Sequence, residues 1–137
     1  MGYAPLKAGT ILIPSGTYVD PDKMHLFVIC TDVCPKGMQI YVPISTYREK
    51  ISDETCLLEA FEHSFLKHKS FILYLKSEMR AQDAIIRGVE DGRMKPHDVM
   101  NNGTFLKVRK GIVKSKRTPL KIVNYFNELS SPPNPAP

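Results

Sequence analysis

Up to about Leu75 the apolar residues come in short runs broken by glycine, proline and charged segments; beyond it they recur at helical spacing. Thr10-Ile-Leu-Ile-Pro14, bounded by Gly9 and by Ser15-Gly16, predicts a strand, and Pro21-Asp22 a turn after it. His25-Leu-Phe-Val-Ile-Cys-Thr31 carries the strongest strand signal, being rich in β-branched and aromatic residues. The segment Asp32 to Gly37, with Pro35 and Gly37, returns the chain into a hairpin partner, Met38 to Ser45, whose Pro43 puts its end at an edge or a bulge. Glu54 to Leu58 predicts a short strand and Ser70 to Leu75 the last one. Five short strands in this part of the chain suggest a small closed or half-open β-barrel.

Three helices follow. Met79 to Val89 carries Met79, Ile85, Ile86 and Val89 near helical spacing, with Asp91-Gly92 as the stop. A second helix spans Asn102 to Lys116, with Phe105, Val108 and Ile112 on one face, Leu106 and Val113 beside them, and basic residues over the rest. Thr118-Pro119 reads as an N-cap followed by proline at the first helical position of a third helix, which runs to about Leu129 and presents Ile122, Val123 and Phe126. The tail SSPPNPAP cannot pack. The expected fold is therefore α+β: a barrel with its first helix over residues 1–92, a basic helical extension packed on it over 93–129, and a Pro-rich tail over 130–137.

Length and charge narrow the classes. A chain of 137 residues fits one domain and buries enough surface to need no disulfide or metal staple. No apolar run approaches the ~20 residues of a membrane span. The opening MGYAPLKAGT lacks an apolar stretch after a basic start, so no secretory signal is expected. Three cysteines, an odd count, are then most simply reduced thiols, and a cytoplasmic location is expected. The net charge is +5. No acidic residue lies between Asp98 and Glu128, a stretch that holds Lys107, Arg109, Lys110, Lys114, Lys116, Arg117 and Lys121. That run is either a solvated helix face or an electrostatic footprint for nucleic acid.

The chain has no GxxxxGK[ST], GxGxxG, GxSxG or HExxH, which removes phosphate-loop NTPases, dinucleotide binding and the commonest serine and zinc hydrolases. Cys30 and Cys34, or Cys56 with His63 and His68, can be drawn as zinc ligands, but cysteines in strands are more often small hydrophobes. No metal or cofactor is expected. A polar cluster carries more. Antiparallel pairing through Asp32–Gly37 places the start of one strand beside the end of the next, so Lys23 and His25 approach Ser45, Thr46 and Arg48 at one rim. An imidazole, hydroxyls and cations are what cleavage of RNA through its own 2′-OH requires: a base, an acid and positive charge on the growing phosphorane. Read without function, the same residues are a strand-end turn and an edge histidine. His68 is a phosphate contact or an acid–base group, or else, like His63, a loop hydrogen bonder. His97 has no role beyond the helix connection.

The order of segments resembles the PemK/MazF-like (toxin-type) family of small SH3-like barrels. Lys7-Ala-Gly-Thr-Ile-Leu-Ile-Pro14 looks like that family's opening glycine and strand, and Lys23-Met-His-Leu-Phe-Val-Ile-Cys30 is similar to its basic start of the central strand. Tyr41-Val-Pro-Ile-Ser45 resembles the strand ending in proline, aliphatic residue and hydroxyl, and Lys69-Ser-Phe-Ile-Leu-Tyr74 with Glu78-Met-Arg80 resembles the late strand and its acidic-aliphatic-arginine step. The resemblance covers about residues 7–90. It implies a metal-independent endoribonuclease acting on single-stranded RNA, a homodimer, and an antitoxin protein as partner. Ser45 matches the family's hydroxyl position, whereas Met24 stands where the family has arginine, flanked by Lys23 and His25. On this reading the catalytic set is His25, Ser45, Lys23, Thr46 and Arg48. RNA is held by His68, Lys67, Lys69 and Arg80, and on the second helix by Lys107, Arg109, Lys110 and Lys114. The alternatives are a non-catalytic nucleic-acid-binding or regulatory module that kept the barrel, and an interaction protein whose rim docks a peptide.

Overall fold

Strands β1 (Thr10–Pro14), β2 (Met24–Ile29) and β3 (Met38–Thr46) form the centre of the computed structural model, which describes residues 2–15 and 23–130. The β2–β3 hairpin closes at Gly37, whose φ of +76° suits glycine and whose N–H donates to the Cys34 carbonyl at 2.8 Å. β1 runs antiparallel to β2 with Ile13 opposite His25, and β2 antiparallel to β3 with Val28 opposite Val42. Beyond these lie β4 (Leu57–Leu58), β5 (Ser70–Ile72), β6 (Glu78–Ala81) and β7 (Lys95–His97). The antiparallel sheet has the order β4-β5-β3-β2-β1-β7, with β6 also on β3.

Successive strand residues point to opposite faces, and here both faces are covered. Leu26, Val28, Ile40, Val42 and Ile44 join a core completed by Phe105, Val108 and Ile112 of α2 (Asn102–Lys114) and by Ile122 and Phe126 of α3 (Leu120–Ser130). Ile11, Ile13, Phe27, Ile29 and Tyr41 face the other way, onto Ile85 of α1 (Gln82–Glu90) and onto Met94. A sheet buried on two sides explains why β2 reads as an almost unbroken apolar run. α2 begins at Asn101, whose side chain accepts from the Gly103 N–H at 2.9 Å. It crosses closely over Tyr74, whose hydroxyl donates to the Val108 carbonyl at 2.7 Å. A Cβ on Gly111 would stand 1.8 Å from that hydroxyl, so glycine is required there by contact rather than by backbone angle.

The α+β class holds, with seven strands among the described residues rather than the five expected. The expected Ser70–Leu75 strand stops at Ile72 and gives way to a 3-10 turn at Tyr74–Lys76. The first helix starts at Gln82, because Glu78–Ala81 is taken up as β6 by the free edge of Met38–Tyr41. β7, Lys-Pro-His, has no strand pattern of its own; it pairs along β1 as an edge, where proline's missing N–H is tolerated. Residues beyond 92 thus supply both an edge strand and part of a continuous core. α2 ends at Lys114, and Thr118 does not cap α3: its hydroxyl is buried without a hydrogen-bond partner among the described residues, and the Pro119 carbonyl takes the Val123 N–H instead. The turn at Pro21-Asp22 and residues 131–137 lie outside the described residues. Among the described residues no helix is long and apolar enough to cross a membrane.

Candidate functional site

β2 and β3 part company at one point. Their last paired residues are Phe27 and Pro43; before Phe27, β2 stays with β1 (Ile13 opposite His25), while after Pro43, β3 turns to β5 (Ser45 opposite Phe71, Thr46 opposite Ser70). Pro43 suits this seam. Its carbonyl accepts from the Leu73 N–H at 2.9 Å, so its nitrogen faces the edge where pairing changes from β6 to β5 and no ladder bond is lost.

The splayed strand ends are the walls of a cleft of about 750 Å³. Lys23, Met24 and His25 line one wall, and Ser45, Thr46 and Arg48 the other. The segment Ser64–His68, between β4 and β5, and His97 of β7 complete it. The five residues expected at one rim are therefore gathered, together with Lys67 and His68. Among the described lining residues Lys23, Arg48 and Lys67 are cationic and none is acidic.

His25 is half-buried, with Nδ1 2.6 Å from Ser15 Oγ. Desolvation, and then the charge of Lys23, hold its pKa below the usual 6.5, so the ring is neutral at physiological pH. Of the two tautomers this contact allows, the one that donates from Nδ1 to Ser15 Oγ carries its lone pair on Nε2, the form a general base needs. His63 is different. It is 4% exposed, its Nδ1 accepts the Phe65 N–H at 3.1 Å, and its Nε2–H therefore faces the Asp98 carbonyl at 2.7 Å, with Thr10 Oγ1 at 3.0 Å. Both nitrogens are engaged in holding the loop, as expected of a loop hydrogen bonder. His97, given no role from sequence, stands in the cleft with its ring centroid 5.2 Å from His63 and 5.3 Å from Phe65. Only pairing of β7 with β1 brings it there, and the sequence carries no signal for that pairing.

The remaining cations are dispersed. Lys69 lies outside the cleft lining, with Nζ 4.7 Å from the centre of the Tyr47 ring. Arg80 sits on β6, paired with Glu78 at 2.6 Å and over the Phe27 ring. Lys107 bonds the Leu57 carbonyl at 2.9 Å and Glu62 at 3.1 Å. Arg109 covers Phe126, and with Lys110 and Lys114 it rims a separate groove between α2 and α3, floored by Leu106, Val113 and Phe126. Cys30 and Cys56 are buried, with thiol pKa values raised by desolvation, to about 12 for Cys30. No protein-family model matches the chain, and no curated protein matches it.

Proposed function

We propose that the protein is a divergent PemK/MazF-like endoribonuclease whose splayed sheet is a variant of the SH3-like barrel, and that it cleaves single-stranded RNA in the cleft between β2 and β3. The observation that carries this reading is the convergence in one cleft of a neutral half-buried His25 with Lys23, Arg48, Lys67, His68 and two hydroxyls, with no acidic side chain among the described lining residues. Support for the fold comes from the way β3 is shared, its first half with β6 and its last three residues with β5.

In the proposed reaction His25 Nε2 takes the proton from a ribose 2′-OH. The 2′-oxygen bonds to the adjacent phosphorus and the bond from phosphorus to the 5′-oxygen breaks. His68 is placed as the general acid that returns a proton to that leaving oxygen, giving a 2′,3′-cyclic phosphate and a free 5′-hydroxyl. Lys23 and Arg48 neutralise the charge building on the phosphorane, and Ser45 and Thr46 donate to its oxygens. Within this reading Met24 replaces the family's arginine, and its flanking residues take over: His25 for proton transfer and Lys23 for charge. A homodimer and an antitoxin partner belong to the same proposal.

The test is incubation of purified protein with a long, structured single-stranded RNA in EDTA, beside a His25→Ala/Ser45→Ala double variant. Discrete cleavage by the wild type and none by the variant supports the reading. Intact RNA with a salt-sensitive mobility shift moves the function to nucleic-acid binding alone, a reading favoured by the exposed Lys110 and Lys114 on α2. Intact, unshifted RNA overturns both.

A further inference from the structure

We propose that Phe65, at the lip of the cleft and braced by His97, is a stacking platform for one unpaired nucleobase. This rests on the nucleic-acid reading above and adds a base-binding subsite distinct from the groups assigned to phosphate chemistry.

Phe65 remains 39% exposed although its neighbour Leu66 is buried. It is nonetheless held. Its N–H donates to Nδ1 of the buried His63, and its ring meets His97 edge-to-face at 78° with centroids 5.3 Å apart. His97 in turn lies against His63, and Ser64 donates to the Asp98 carboxylate, so the residues on either side of the loop are pinned to β7 and its end. An edge-to-face contact covers at most one face of the Phe65 ring, and the side chain lines the cleft with 39% of its surface exposed.

A rigid exposed ring among cations suits a nucleobase better than a peptide. Every base has a π-face, and the phosphates on either side of a stacked base need positive charge, which Lys67 supplies from the same segment and Arg48 from the facing wall. The cleft lining that Phe65 joins includes apolar side chains, the exposed Ile51 among them, but it also carries Lys23, Arg48 and Lys67, cations that a phosphate backbone can use and an apolar peptide side chain cannot. Bases in a duplex are stacked on one another and cannot use the ring, so the platform selects single strands.

The experiment measures the anisotropy of a labelled, single-stranded 2′-O-methyl oligonucleotide, which lacks the attacking hydroxyl and reports binding alone. Phe65→Ala should weaken binding by about tenfold to a hundredfold, the usual size of one base–aromatic stack. Phe65→Trp should restore it, and the affinity for the matching duplex should not change. Phe65→Ala binding the single strand within about twofold of wild type overturns the platform and leaves the nuclease reading standing, as does an equal loss on the duplex. A Phe65-dependent affinity without cleavage of RNA keeps the platform and overturns the nuclease chemistry. No binding by the wild type at low salt overturns both.

Discussion

The two ends of β3 are built on opposite principles. From Met38 to Val42 the strand pairs with β6 as far as Tyr41 and with β2 from Tyr41 onward, and it is covered on both faces; Gln39, Ile40, Tyr41 and Val42 are wholly buried. Even its polar side chain is committed there, with Gln39 Nε2 donating to the carbonyls of Pro5 and Thr31 at 3.0 and 3.1 Å. From Ile44 to Thr46 the same strand keeps one paired edge, turns away from β2, and becomes half-buried at Ser45 and exposed at Thr46. A closed end supplies rigidity; an open end, held by the same backbone, presents hydroxyls and cations to a ligand. The cost of substitution should divide the same way, stability at one end and activity at the other.

The largest expected effect is at the open end. His25→Ala should lower RNA cleavage by about a hundredfold to ten-thousandfold, the usual contribution of a positioned base, with little loss of oligonucleotide affinity. Cleavage kinetics and anisotropy on one preparation check it, and equal losses in both would erase the distinction. Next comes the closed end. Ile40→Ala, at a site with no exposure, should cost about 2–5 kcal/mol in urea unfolding. Gln39→Leu should cost about 1–3 kcal/mol, since it leaves two buried carbonyls without their donor. Ser45→Ala should change the unfolding free energy by no more than about 0.5 kcal/mol while reducing cleavage; a larger loss would make the open end part of the scaffold.

The smallest effect expected is on pH dependence. The folded state holds His25 below the ordinary value of 6.5, so the unfolded chain binds its proton first as pH falls. This histidine therefore leaves stability untouched above about pH 6.5 and subtracts from it progressively below. His25→Gln should lose part of the acid-side decline in thermal unfolding and, in the wild type, the acid limb of cleavage should lie below 6.5.

The central hairpin was legible because β-branched and aromatic residues crowd Leu26–Ile29 and a glycine turn fixes its register. Extending that register sets Lys23 and His25 opposite Ser45, Thr46 and Arg48, where the structure has the two strand ends facing each other across the cleft. The helices were legible from spacing, although the N-terminal turn of the first was claimed by β6 and the cap of the third fell to Pro119 rather than Thr118. The basic run between Asp98 and Glu128 looked like a single surface, but Lys107 is committed to Glu62 while Lys110 and Lys114 face a groove of their own.

Sequence by itself determined the three core strands and the cores of the three helices, where the central hairpin turns, and which strand ends face one rim. These depend on local propensity and on one short hairpin. Tertiary structure decided what depends on distant partners. The separation of β2 from β3 after Phe27 and Pro43 exists because β1 and β5 claim the two strand ends. The brace of His63, His97 and Phe65 exists because β7 lies along β1. A tripeptide such as Lys-Pro-His has no propensity to extend, and an edge strand takes its conformation from the ladder it joins, so nothing in its own composition could announce it.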